Sequence, residues 1–200
     1  MSFVCTVWGN AKKAFVGSTV LILFGLLVLG LSVVAIHDKL GAFGEASGSG
    51  TGKMEYYLPY PGVLPDNPVY KLKAARDRVQ LWVILDQSKK AEKELLFANK
   101  RIGAAKFLAE GGKIGLAVST ATKAEKYLES AYNRLDKLSR DGKDVKSLLI
   151  EVKKAMGKHQ EILEEVLAKT SDLDRNTANE TLKMNKLLQQ RLEQTWVEAK

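Results

Sequence analysis

The sequence has few of the groups on which enzymes and disulfide-bonded proteins depend. It contains one cysteine, Cys5, and two histidines, His37 and His159. A single cysteine excludes an intrachain disulfide, and two histidines far apart along the chain offer little for metal binding or acid–base catalysis. The sequence also lacks a glycine-rich phosphate loop. We therefore expect no enzymatic activity, no cofactor and no metal centre.

Proline and aromatic residues are scarce as well. The four prolines all lie between Pro59 and Pro68, and aromatic residues make up 8% of the chain. After Pro68 the sequence is rich in Ala, Leu, Lys and Glu, and no further proline interrupts it. This composition favours long packed helices over a β-sheet.

Charge is plentiful, but both signs are mixed along the chain. There are 31 basic and 23 acidic residues, for a net charge of +8. Interspersed charges indicate solvated helix faces, and acidic residues among the basic ones argue against nucleic-acid binding. The second predicted helix, residues 88–110, is the most basic. An anionic surface polymer or lipid headgroup is a candidate ligand for it. The residues that would make this contact are Lys89, Lys93, Lys100, Arg101 and Lys106.

One long uncharged run lies near the N-terminus, at residues 14–36. As a helix rising about 1.5 Å per residue, it is long enough to cross a hydrocarbon core of about 30 Å. The apolar core of a cleaved signal peptide is shorter, about 7–15 residues. The run therefore predicts an uncleaved single-pass anchor, with cleavage as the open alternative.

The residues around this run predict its orientation. Lys12 and Lys13 stand directly before it, whereas the charges that follow it nearly balance. The positive-inside rule then leaves residues 1–13 in the cytoplasm and places the C-terminal domain outside it. Residues 37–55 are rich in glycine and serine and predict a flexible linker. Residues 56–200 form the predicted extracytoplasmic domain.

The proline-rich lead-in, residues 57–70, precedes the helices. Residues before proline avoid the helical region, so the segment should be extended or turned, with Asp66 or Asn67 capping a helix that starts at Pro68. Its apolar content predicts packing against the helical domain, and a proline-rich peptide for a partner's aromatic groove is an alternative. We expect an interaction surface here that comprises Tyr57, Tyr60, Pro61, Leu64 and Tyr70.

Hydrophobic periodicity predicts five helices, at residues 68–85, 88–110, 113–139, 143–169 and 173–197. In the middle three, apolar residues recur at alternating spacings of three and four, as in long helices that cross at about 20°. The short turns at Gly111-Gly112 and Asp141-Gly142 predict antiparallel neighbours. We expect an all-α, up-down antiparallel bundle of about four to five helices with coiled-coil-like seams, in which these three form the body and the first and fifth pack alongside or extend from it. Thr177 and Glu180 form a capping-box pattern, so the fifth helix could start late. Self-association through unfilled seams stays open.

His159 occupies a seam position in the fourth predicted helix. A metal site would need a second ligand one turn away, but Leu163 is not a ligand and Glu164 lies off that ridge. We expect His159 to be a partly buried, hydrogen-bonded histidine.

Three segments resemble a bacterial and archaeal family of unknown function. They are the proline segment from Leu58 to Lys73, the helix from Lys90 to Arg101, and the segment from His159 to Leu167. The chain departs from the family in lacking a proline after the third segment and in having Asp86-Gln87 where many members have Asp-Pro. The resemblance covers residues 57–170. It implies an extracytoplasmic helical domain on a membrane anchor, and it implies no activity or catalytic residues.

Taken together, these features predict a membrane-anchored helical bundle that acts as a structural or protein-interaction module. Its partner would be another envelope protein or a second copy of the chain. The alternative is an envelope sensor that binds an anionic polymer or lipid through the basic helix face.

Overall fold

The computed structural model describes residues 56–198, which form five helices and contain no β-strand. Its five helices are α1 (Tyr70–Val83), α2 (Gln87–Glu110), α3 (Ile114–Arg140), α4 (Lys146–Ala168) and α5 (Asp172–Glu198). The predicted anchor at residues 14–36 and linker at residues 37–55 lie outside the described residues. None of the helices described is both long and apolar enough to cross a membrane.

Glycines end α2 and α3 and reverse the chain. Gly112 and Gly142 both have φ of +75°, which glycine adopts without the steric cost that a Cβ would impose. Next to them, the Lys113 backbone N–H donates to the Leu108 carbonyl over 2.8 Å, and that of Lys143 donates to the Leu138 carbonyl over 2.9 Å. These Schellman motifs satisfy the last carbonyls of each helix and make α2, α3 and α4 antiparallel neighbours, as predicted.

Helices α2 to α5 form a four-helix bundle, and the predicted seams of α2, α3 and α4 line its core. The completely buried residues include Ala98, Ile102, Leu128, Ala131 and Val152. Alanine at many of these positions lets the helix backbones approach closely. The core therefore has the alternating three- and four-residue pattern that the sequence predicts.

The fifth predicted helix packs alongside the middle helices, one of the two arrangements expected, and completes the bundle. α5 packs against both α3 and α4 and contributes core residues at spacings of 3, 4, 3 and 4. These residues are Ala178, Thr181, Asn185, Leu188 and Leu192. Two of the five are polar, so a search for large apolar residues undercounts this face. The helix also starts at Asp172, before the capping-box pattern at Thr177.

α1 lies outside the bundle. It contacts only α2 among the helices described. It is shorter than the predicted 68–85, because Pro68 and Val69 form the turn that precedes it. The Asn67 side chain accepts a hydrogen bond from the Val69 backbone N–H over 2.9 Å within this turn. The N-cap of α1 is Val69, which makes no side-chain cap hydrogen bond, so neither Asp66 nor Asn67 caps the helix as predicted.

Candidate functional site

Four polar side chains meet in the middle of the bundle, one from each of its helices. They are Asn99 of α2, Glu125 of α3, His159 of α4 and Asn185 of α5, and we call them the polar layer. Glu125, His159 and Asn185 are completely buried, and Asn99 is 4% exposed. A charged or polar group in such a position is stable only when hydrogen bonds replace those it made with water.

The polar layer is closely hydrogen-bonded. One Glu125 oxygen lies 2.7 Å from His159 Nδ1, and the other accepts from Asn185 Nδ2 over 2.9 Å. His159 Nε2 lies 3.0 Å from Asn99 Oδ1. Both ring nitrogens of His159 thus lie within hydrogen-bond distance of an oxygen on another helix. Each member of the layer depends on the others for its hydrogen bonds in the core.

The layer divides the hydrophobic core into two clusters. One cluster contains Leu95, Leu128 and Leu188, and the other contains Ile102, Ala121 and Ile162. A buried polar position of this kind favours one helix register, because a shifted register would leave these groups without partners. We therefore interpret the layer as the element that fixes the alignment of the four helices.

The layer does not have the features of a metal centre. It offers one histidine and one carboxylate, and the residues described contain no group of three or more potential metal ligands among His, Cys, Asp and Glu. The sequence prediction that His159 is hydrogen-bonded is confirmed, and its burial is complete rather than partial. The hydrogen-bond partner of His159 Nδ1 is Glu125 on α3.

Tyr56 extends the layer toward the proline-rich lead-in. Its hydroxyl accepts a hydrogen bond from Asn99 Nδ2 over 2.7 Å. Burial raises the pKa of Tyr56 to about 12, although the hydrogen bond from Asn99 acts in the opposite direction. The phenol is therefore neutral in the folded protein under physiological conditions.

This pKa predicts a specific alkaline effect. An unfolded tyrosine has a pKa of about 10, so the folded state holds this proton more tightly. The stability that Tyr56 contributes is complete below about pH 10 and is lost as the pH rises from about 10 through about 12. We expect Tyr56→Phe to lose less stability across this window than the unmodified protein in urea denaturation. Equal losses of stability in the two proteins would contradict the raised pKa of Tyr56.

A second buried charge cluster attaches α1 to the bundle. Asp77, on the inner face of α1, is 3% exposed and lies 3.6 Å from the guanidinium of Arg101 on α2. Arg76 also contacts Asp77, over 2.9 Å. The Arg101 guanidinium lies 5.4 Å and 4.3 Å from the ring centroids of Phe97 and Tyr127, where cation–π attraction adds to the ion pair.

The outer face of α1 is apolar and exposed. Trp82 is 84% exposed and Leu72 is 72% exposed. At about 100° per residue, these two side chains share an arc of about 100° with Ala75, Val79 and Val83, on the side of the helix opposite Asp77. Val69 and Leu85, just beyond the two ends of the helix, are also exposed. We call Leu72, Val79, Trp82 and Val83 the apolar face of α1.

The chain matches the model of a domain of unknown function, DUF5667, over residues 62–173. The chain belongs to this family. The match covers more than half of the sequence and includes α1 to α4. No curated protein and no solved structure matches the chain.

The DUF5667 match includes Asp77 and Arg101 and three of the four residues of the polar layer. Asn185, the fourth, lies beyond its end. The match confirms that the chain contains a domain of unknown function, which is the coarser part of the resemblance. The match does not address the membrane anchor or the proline motif, so both stay predictions.

The predicted surface of the lead-in is divided between bundle and solvent. Leu58 packs against the core cluster that contains Ile102, and Pro61 is buried. Leu64 and Tyr70 are partly buried. The remaining two residues of the predicted surface, Tyr57 and Tyr60, are 71% and 79% exposed.

Two lysine side chains hold the lead-in in place. The Lys73 ammonium donates to the backbone carbonyls of Pro61 and Val63, over 2.5 and 3.1 Å. Lys113, at the turn after α2, pairs with Asp66 over 2.5 Å. The lead-in is thereby tied to α1 and to the α2–α3 turn.

The basic residues predicted on α2 are not equivalent. Lys89 is exposed, and Lys93 and Lys100 are partly exposed. Burial lowers the pKa of Lys100. Lys106 pairs with Glu165 over 3.4 Å. Arg101 is buried in the ion pair with Asp77, so its guanidinium is not on the surface that the sequence suggested.

Sequence reasoning missed the polar layer and the role of Asp77. The hydrogen-bond partners of His159 lie 34 and 60 residues away along the chain, so no local motif connects them. One signal was available for Asn185, which continues the three- and four-residue spacing of α5. Nothing in the sequence indicates that Asp77 is buried, because a carboxylate between Arg76 and Arg78 is typical of a solvated helix face.

Proposed function

We propose that the protein is a membrane-anchored interaction module, displayed outside the cytoplasm, in which a four-helix bundle presents α1 to a partner. The observation that carries this proposal is the apolar face of α1. It comprises four large or medium-sized apolar side chains that are 57% to 84% exposed. Contiguous exposed apolar surface of this kind is typical of binding sites.

The way in which α1 is attached supports the same function. Its inner face is fixed to α2 by the buried ion pair between Asp77 and Arg101. The opposite face is thereby held outward, away from the bundle. A helix that contributed only to stability would bury its apolar stripe and expose its carboxylate, and α1 does the reverse.

The bundle beneath α1 suits the role of a rigid support. Its core is filled by interlocking apolar side chains, and the polar layer fixes one register. Preorganisation of this kind lowers the entropy that a protein loses on binding. The membrane anchor and the extracytoplasmic location rest on the sequence of residues 1–39.

Site-specific labelling of the full chain in intact cells tests the proposal. Cys5 is replaced by serine, and a single cysteine is introduced as Leu72→Cys on α1 or as Leu173→Cys on α5. Leu173 is 90% exposed and serves as the matched control. A membrane-impermeant maleimide should label Leu173→Cys in intact cells, and it should label Leu72→Cys at least tenfold more slowly, because a partner covers α1.

Two results would contradict the proposal separately. Labelling of Leu173→Cys only after lysis would contradict the extracytoplasmic location. Equal labelling rates at the two positions in intact cells would show that nothing covers α1 there and would contradict the interaction function.

A further inference from the structure

We infer that the partner of the apolar face of α1 is the surface of an anionic phospholipid membrane, an inference that rests on the proposed interaction function. In this arrangement α1 lies in the plane of the interface. Trp82, Leu72 and their apolar neighbours enter the boundary between headgroups and acyl chains.

The distribution of charge around α1 carries this inference. Lys71 and Arg78 border one edge of the apolar face and Arg76 borders the other, and all three are exposed. The acidic residue of α1, Asp77, is buried against Arg101. The exposed side of α1, which the structure describes completely, therefore has basic edges and no carboxylate. Apolar residues with tryptophan, bordered by Lys and Arg, are the pattern of helices that bind anionic membrane surfaces.

The same charges disfavour a second copy of the chain as the partner. A two-fold dimer would place this face against itself, so the basic edges of one copy would approach those of the other. Like charges brought together at an interface oppose association. An anionic headgroup layer instead neutralises Lys71 and Arg78, while Arg76 stays paired with Asp77.

The inference differs from the contact with an anionic ligand that the sequence suggested on α2. That contact needs Arg101, which is buried, and Lys106, which is paired with Glu165. On α1, by contrast, the structure shows no ion pair for Lys71 or Arg78 among the residues described. Both side chains are available to lipid phosphates.

Trp82 can report on its own surroundings. The chain has three tryptophans, so Trp8→Phe and Trp196→Phe together leave Trp82 as the single tryptophan. The full chain is reconstituted into vesicles of phosphatidylcholine alone or of phosphatidylcholine mixed with phosphatidylglycerol. We expect a blue shift of Trp82 emission and quenching by brominated acyl chains in the anionic vesicles only. Added salt should reverse both changes.

Charge variants sharpen the test. Lys71→Gln with Arg78→Gln should shift the equilibrium between membrane-bound and solvent-exposed α1 about 30-fold toward the exposed state. This is the effect expected for the loss of two basic groups near an anionic surface. Lys123→Gln with Lys126→Gln removes the same charge from exposed positions on α3 and should leave the Trp82 signal unchanged. Equal effects of the two pairs would overturn the inference, because net charge alone would then explain the binding.

Three other results would also overturn it. They are no blue shift in anionic vesicles, an equal shift in both kinds of vesicle, and emission that is already blue-shifted without anionic lipid. If one of these is found while Leu72→Cys stays protected in cells, the interaction function holds and the partner is a protein, either a second copy or an acidic envelope protein. If Leu72→Cys is unprotected as well, the proposed function itself fails.

Discussion

Glu125→Ala is expected to lower the free energy of unfolding by about 3–5 kcal/mol. The substitution removes the acceptor of both the His159 and the Asn185 hydrogen bonds, and both of those residues are completely buried. It removes one hydrogen-bond partner each from a buried imidazole and a buried amide, and it opens a small cavity. Urea denaturation of the full chain, followed by circular dichroism, measures the loss.

A surface carboxylate provides the control for this prediction. Glu110 is exposed at the end of α2, so Glu110→Ala should change stability by no more than about 0.5 kcal/mol. Combining Glu125→Ala with His159→Ala should cost less than the sum of the two single substitutions, with a coupling of at least about 1 kcal/mol. Additive effects, or a loss below about 1 kcal/mol for Glu125→Ala, would show that the polar layer is not a coupled unit.

Asp77→Ala is expected to release α1 while the bundle stays folded. The substitution leaves the Arg101 guanidinium buried without its carboxylate. Among the helices described, α1 contacts only α2, so no other helix holds it in place. Detachment of α1 lets Arg101 regain water, so the cost is confined to α1. Hydrogen exchange should speed up about 30-fold in residues 70–83, equivalent to about 2 kcal/mol.

The same measurement contains its own control. Amides of α3 and α4 should keep their protection in Asp77→Ala, because the polar layer is untouched. Asp141→Ala, in the exposed α3–α4 turn, should leave exchange in α1 unchanged. Retained protection of α1 in Asp77→Ala would mean that the ion pair does not attach the helix.

The body of the bundle could be predicted because its information is local. The spacing of Leu128, Ala131 and Leu135 defines one face of α3 without reference to any other helix. Gly112 and Gly142 mark reversals because only glycine adopts their backbone conformation readily. Helix boundaries and the antiparallel order follow from such short-range rules.

The interior polar contacts could not be predicted in the same way. Glu125 stands next to Ala124 in the seam, and nothing in its own helix shows whether it points to solvent or to the core. Its burial depends on His159 and Asn185 arriving from two other helices. The polar core positions of α5 were hard to predict for the same reason, since Thr181 and Asn185 count as core residues only once their partners are known.

The apolar face of α1 shows a different limit. The sequence correctly places Leu72, Val79 and Trp82 on one side of a helix. Periodicity establishes that a helix has an apolar face, but it does not establish what that face contacts. Only the position of Asp77, buried on the opposite side, shows that α1 is turned outward and that its apolar face is open to a partner.

The central claim is that α1 is a docking element held outward by the bundle, and the most direct test is the accessibility of position 72 in intact cells. A maleimide is expected to label Leu72→Cys at least tenfold more slowly than Leu173→Cys. The difference should disappear in the purified chain in a non-ionic detergent, where no partner covers position 72. Equal labelling of the two positions in intact cells would contradict the central claim.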